Sequence, residues 1–224
     1  MDHSKLIALI FIFTTSFSFG QNLNASNKAV ENDSLFHYEL LLGTGIFEAV
    51  GDNFIHEAYD GNDLGFNIGF NFFFYKNLGI GIHLKRSELD LAKDNFLGSR
   101  FHSARISTHA FFGLYKLKLA RKLELRTSLG YSLSTLKNRK NTGNNDYKLN
   151  FNGLTGGVFV QYFFNKAENL GIGVGIDYNY NLSDRVRTSN QYNDFVNQNQ
   201  FYTLNFMLVI KSEALSYYSR PQNN

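Results

Sequence analysis

The chain has 224 residues, with 22 Lys plus Arg against 19 Asp plus Glu and no cysteine. The near balance of charge gives no footing for a nucleic-acid partner, and the missing thiols exclude disulfides, zinc-thiolate sites and thiol catalysis. Phe and Tyr number 23 and 13, Gly 19 and Pro 1, a mixture that favours closely packed strands over linkers.

The N-terminus reads as an export signal. Lys5 precedes an apolar run from Leu6 to Phe13, and small residues at Ser18 and Gly20 precede Gln21. The run is well short of the roughly 20 residues that a membrane-spanning helix needs. Residues 1–20 are therefore expected to be a cleaved signal peptide, with the cut after Gly20 or one residue later. Residues 21–34 are polar and aperiodic and read as a flexible periplasmic leader.

From Phe36 onward, apolar residues recur at every second position, the mark of a strand with two unlike faces. The first expected strand sets Phe36, Tyr38, Leu40, Leu42, Thr44 and Ile46 against His37, Glu39, Leu41, Gly43 and Gly45. Residues 64–84 form a hairpin broken at Lys76-Asn77. One face carries Leu64, Phe66, Ile68, Phe70, Phe72 and Phe74, then Leu78, Ile80, Ile82 and Leu84; the other carries Gly65, Asn67, Gly69 and Asn71, then Gly79, Gly81, His83 and Lys85. In the fourth strand, from Ser103 to Leu117, the series Ala104, Ile106, Thr108, Ala110, Phe112 and Leu114 reads as the apolar face. Ser103, Arg105, Ser107, His109, Phe111 and Gly113 then form the opposite one. The fifth strand opposes Leu123 to Leu133 with Glu124 to Ser134, and the sixth opposes Leu154 to Phe164 with Thr155 to Phe163. The seventh opposes Leu170 to Leu182 with Gly171 to Asn181, and the eighth, Gln200 to Ile210, opposes Tyr202 with Phe201.

Connections alternate in length. Long polar segments, Val50 to Asp63, Leu91 to His102, Lys137 to Asn150 and Ser183 to Asn199, follow the odd-numbered strands, and brief turns follow the even ones. Strands of about ten residues, joined up-and-down by alternately short and long connections, are the pattern of a closed barrel spanning a bilayer. The expected fold is all-β, an eight-stranded antiparallel up-and-down transmembrane β-barrel over residues 35–211, with residues 212–224 as a C-terminal tail.

The apolar set is assigned to lipid and the Gly, Ser and Asn set to the interior, where small side chains fit a barrel of this size. Aromatic residues gather toward strand ends, at Phe36, Tyr38, Phe74, Tyr75, Tyr162, Phe164, Tyr178 and Tyr180, as interfacial girdles do. Charges on the presumed inner faces are few and of both signs: Glu39, Lys85, Arg105, Glu124, Arg126 and Asp177 are the candidates for a lumenal polar network.

With this strand pattern, loop alternation and signal peptide, residues 36–211 resemble the small outer-membrane β-barrel proteins of Gram-negative bacteria, the OmpA and OmpX-like group. The ending "SFSFGQ" looks most like the versions found in Bacteroidota. The resemblance implies an outer-membrane location, contact with outer-membrane lipid and lipopolysaccharide, and insertion by the barrel assembly machinery. It further implies extracellular or envelope protein partners at the long loops. One departure is the tail: such barrels often end on a terminal aromatic, whereas here Lys211 to Asn224 follow the last strand.

No chemistry stands out. The Gly-x-Gly strings at Gly79 and Gly171 lack the spacing and following helix of a nucleotide loop, so no cofactor is expected. His37, His83 and His109 fall on different strands without ligand spacing, so no metal is expected. Ser107 and His109 share a face, but that face is assigned to the lumen, so no catalytic residue is proposed and the chain is read as a non-enzyme with a structural or surface-interaction role. The alternatives are an outer-membrane lipid-modifying enzyme of the lipid A deacylase or acyltransferase type, which needs a Ser-His-acid cluster at the lipid-facing rim, and a soluble ligand-binding barrel, which needs the apolar set inside.

Overall fold

The computed structural model describes residues 36–60, 64–75, 77–92, 101–140, 147–183, 195 and 197–213, apart from the side chains of residues 60, 101, 102, 139, 140, 147, 212 and 213. The expected signal peptide, leader and most of the tail lie outside the described residues. Eight long strands form a ring: β1 (His37–Val50), β3 (Leu64–Tyr75), β4 (Leu78–Leu91), β5 (Phe101–Ala120), β6 (Leu123–Lys140), β7 (Tyr147–Phe163), β8 (Leu170–Leu182) and β9 (Gln198–Glu213). Each pairs antiparallel with its chain neighbours, the β4 to β5 pairing completes one side, and β1 to β9 pairing joins first strand to last. Every long strand thus has a neighbour on both sides, which leaves no edge to hydrocarbon. Several strands outrun the expected boundaries, so the β5–β6 hairpin takes in residues that the sequence places in loops.

Side-chain direction follows the pairing. The outer surface carries Leu64, Phe70, Ile80, Ile82, Leu129, Leu133, Leu154, Val174, Ile176 and Phe206, all well exposed. An apolar area this continuous is far larger than the few hundred Å² that a soluble monomer tolerates, and it is the surface that lipid covers. A soluble ligand-binding barrel needs the reverse arrangement, which the chain does not have. Outward aromatics mark both margins, with Phe36 stacked on Phe72 and Tyr38 on Phe70 toward the short turns and Tyr178 bonded to Gln200 toward the long connections.

In β5 the faces are the opposite of the sequence expectation. Ala104, Ile106, Thr108, Ala110, Phe112 and Leu114 are buried inside, while Arg105, Ser107 and His109 lie on the outer face. The cause is register. Residues directly opposed across a ladder share a face, and Leu84, on the lipid side, is paired with His109, as Arg86 is with Ser107 and Glu88 with Arg105.

The first long connection is not simply solvated. Phe54–Ala58 form a short helix, α1, and Tyr59–Asp60 form a two-residue strand, β2, beside the end of β4. Gly51 adopts φ +85, a turn that only glycine makes without strain. Asn53 then caps α1, its side chain accepting from the His56 N–H at 3.1 Å and donating to the Val50 carbonyl at 2.6 Å. Phe54, Ile55, Ala58 and Tyr59 are buried against Phe47, Leu89, Ile106, Leu136, Phe151 and Phe201 from the barrel wall. Here the side chains that fill the lumen are apolar, a correction to the side-chain-filled polar lumen expected from the Gly, Ser and Asn faces.

Candidate functional site

Inside the ring, Glu39 on β1 is completely buried. Its carboxylate accepts from Arg126 on β6 at 3.0 Å, Gln161 on β7 at 3.2 Å, Lys116 on β5 at 3.3 Å and Asn71 on β3 at 3.3 Å. Glu124 accepts from Gln161 at 2.7 Å and from Lys211 at 3.4 Å, and lies 3.5 Å from Lys116. Three cations also face aromatic rings: Lys116 lies 4.3 Å from the Phe73 centroid, Arg126 4.4 Å from that of Phe159 and Lys211 5.5 Å from that of Phe163. A carboxylate taken out of water costs several kcal/mol unless it is paired and hydrogen-bonded, and each of these has both kinds of partner.

A second node joins Lys85 on β4 to Asp177 on β8 by a direct ion pair. Asp177 also accepts from Asn205 at 2.7 Å, and Asn205 in turn accepts from Asn67 at 2.7 Å. Asn71 extends the first node to His83, whose ring nitrogen lies 3.1 Å from the Asn71 amide oxygen. Gly157 makes room for the second: a Cβ there would stand 2.0 Å from Asp177 Oδ1.

The structure therefore brings together Glu39, Lys85, Glu124, Arg126 and Asp177, and leaves Arg105 out. Arg105 instead donates to Glu88 at 2.5 Å on the outer face. Sequence reasoning missed Lys116 and Lys211 as lumenal cations. Lys116 continues the even-numbered series of β5, and a lysine there conflicts with a lipid-facing assignment; that conflict was the available signal. Lys211 continues the lumenal series of Thr203, Asn205 and Met207 past the expected strand end.

Of the histidines, His37 and His83 are lumenal, stacked on Phe73 and edge-on to Phe112 respectively, while His109 is outside. Among the described residues, no group of His, Asp and Glu has the arrangement of a metal site. Ser107 and His109 share the outer face, with no hydrogen bond between them. The nearest carboxylate on that face is Glu88, which holds Arg105 and lies 3.8 Å from Arg86.

No protein-family model and no curated protein matches the sequence. Among solved structures, the chain is similar to OprG of Pseudomonas aeruginosa, an outer membrane protein, at 11% identity and TM-score 0.53, covering 80% of this chain and 96% of that one. It is also similar to Ail, the attachment invasion locus protein of Yersinia pestis, at 12% identity and TM-score 0.51, covering 79% and 98%. The same protein in complex with the heparin analogue sucrose octasulfate aligns at 13% identity and TM-score 0.51, covering 79% and 99%. This is the small outer-membrane β-barrel fold. In an outer-membrane barrel the long connections face outward from the cell and the short turns face the periplasm. On that orientation the ion-pair network crosses the lumen between the periplasmic mouth and the apolar cluster, and α1 sits at the extracellular end.

Proposed function

We propose that the protein resides in the outer membrane of a Gram-negative bacterium as a non-conducting barrel that holds a rigid extracellular platform for surface interaction. One observation carries this reading: the lumen is obstructed twice, by ion pairs that span it between facing strands and by the α1 cluster. Meanwhile β5, β6 and β7 continue past the apolar belt with Arg105, Lys137 and Lys148 in cross-strand register. An interior filled with side chains suits anchorage better than diffusion. The naming of Ail as an attachment invasion locus protein, and its complex with a polyanionic heparin analogue, support a surface-interaction role. Export by the residue 1–20 signal, a periplasmic leader, insertion by the assembly machinery, lipopolysaccharide contact and a Bacteroidota source belong to the same proposal; the last rests on the sequence ending before Gln21 alone.

The test is outer-membrane fractionation with electrophoresis of boiled and unboiled protein, followed by conductance of the purified barrel in planar bilayers. Recovery in the outer membrane, a mobility shift on boiling and no single-channel steps are expected; stable ion currents would overturn the non-conducting reading. The outward placement of Ser107 and His109 favours a second reading, a lipid-modifying enzyme. Mass spectrometry of lipid A from cells expressing the native chain or Ser107→Ala separates them: unchanged acylation is expected, and acyl loss that depends on Ser107 would establish the enzyme instead.

A further inference from the structure

Between the ion-pair nodes and the α1 cluster, the lumen passes through a band of small side chains. On β6, Ser128, Gly130, Ser132 and Ser134 follow one another on the inward row between Arg126 and Leu136; on β7, Gly153, Thr155 and Gly157 stand between Phe151 and Phe159. Successive residues on one face of a strand are about 6–7 Å apart, so the band is several residues deep. The α1 cluster bounds it on one side and the Arg126 to Glu39 layer on the other. Into this band β8, which gives no residue to the α1 cluster, turns Asn179 and Asn181.

Thr155 and Asn179 are opposed across the β7 to β8 ladder, and Asn181 follows on the same face. All three are at most 2% exposed. Among the described residues, the Thr155 hydroxyl, both side-chain polar atoms of Asn179 and the Asn181 amide nitrogen have no hydrogen-bond partner. The Asn181 amide oxygen accepts from Ser132 at 2.9 Å. A buried polar group left unpaired costs its full desolvation, and native interiors keep few of them. Several on three neighbouring residues point to one shared occupant.

The chemistry of that occupant follows from theirs. The two amide nitrogens only donate and the Asn179 oxygen only accepts, so the occupant must do both. A bare cation would meet the amide hydrogens, and an anion would meet the Asn179 oxygen and the carboxylate of Asp177 one row away. Asp177 itself already has its counter-charge in Lys85. Water donates and accepts at once, and a buried water satisfies about two to four such partners.

We infer that the middle of the lumen is a closed hydration chamber, in which Thr155, Asn179 and Asn181 bind a cluster of water molecules between the ion-pair layer and α1. The barrel is thus wet at its centre and stoppered at both ends, by matched charges on one side and by apolar side chains on the other.

The test is nuclear magnetic resonance of the full barrel in detergent micelles, with isotope-labelled asparagine. The side-chain amides of Asn179 and Asn181 are identified by their loss in Asn179→Leu and Asn181→Leu. Each is expected to show a cross-peak to water whose laboratory-frame and rotating-frame Overhauser effects have opposite signs, as for water that tumbles with the protein; amides without such cross-peaks would overturn the chamber. Stability gives a second readout, one of sign. Thr155→Val keeps the side-chain shape and deletes the hydroxyl, so the urea midpoint of the mobility shift should fall where that hydroxyl binds water. A midpoint unchanged or raised, the result of deleting a dry unpaired group, would contradict the inference. Refolding the native chain with choline in place of sodium should leave the midpoint where it was, and a fall would assign the site to a small cation instead. The mobility shift on boiling shows separately that each variant is a folded barrel.

Discussion

Glu39 is the residue on which the lumen converges. Replacing it with Ala leaves Arg126 and Lys116 buried without their principal counter-charge, and breaking a buried pair from one side costs about 3–5 kcal/mol. The urea midpoint of the mobility shift should fall accordingly in Glu39→Ala, whereas Arg105→Gln, on the outer face, should leave it nearly unchanged. Gly157→Ala should also destabilise, because the added Cβ collides with Asp177 and displaces it from Lys85; removing the carboxylate in Gly157→Ala, Asp177→Asn would not restore the pair, so no recovery is expected. At this scale the sequence was informative where small residues alternate with charge, as at Asp177 among the glycines of β8. It misled at Arg105, because a polar residue on the outer face above the belt has the same period-two signature as a polar residue in the lumen.

Among elements, β3 and β5 differ in how plainly they read. The faces of β3 are chemically unlike from Leu64 to Phe72, with Leu, Phe and Ile outside and Gly and Asn inside, and only Phe73 departs from this, so one register satisfies the strand. In β5 both faces are mixed: its inner side carries Ala104 and Ile106 against the α1 cluster and Ala110, Phe112 and Leu114 beside Phe73, with Thr108 and Lys116 on the same side, and its outer side leaves the belt at His109. Pairing with β4 decides the matter, and pairing is not visible in one strand's composition. The helix α1 was hidden for another reason, since its apolar residues Phe54, Ile55, Ala58 and Tyr59 stand among Asp52, Asn53, His56, Glu57 and Asp60. Two substitutions measure the belt itself: Val174→Arg on β8, at mid-depth, should destabilise by about 2–4 kcal/mol, and Ser107→Arg, near the margin, by about 0–1 kcal/mol. Equal costs for the two would contradict the assigned depths.

For the molecule as a whole, the obstruction by α1 can be probed cleanly because the chain has no cysteine of its own. A cysteine placed at Phe47 or Phe201, both buried under α1, should resist a water-soluble maleimide. Replacing residues 53–59 with a glycine-serine segment should make that cysteine reactive while the barrel continues to shift on boiling. Protection in both forms would mean that the strands alone close the outer end.

The seat of α1 is assembled from β1, β4, β5, β6, β7 and β9, and so it does not exist until the earliest strand and the latest have met. Until then the aromatic residues Phe54 and Tyr59 remain in water, where chymotrypsin can cut beside them. Their resistance to the protease is consequently a timer built into the chain, and the moment it is acquired during insertion dates the sealing of the ring.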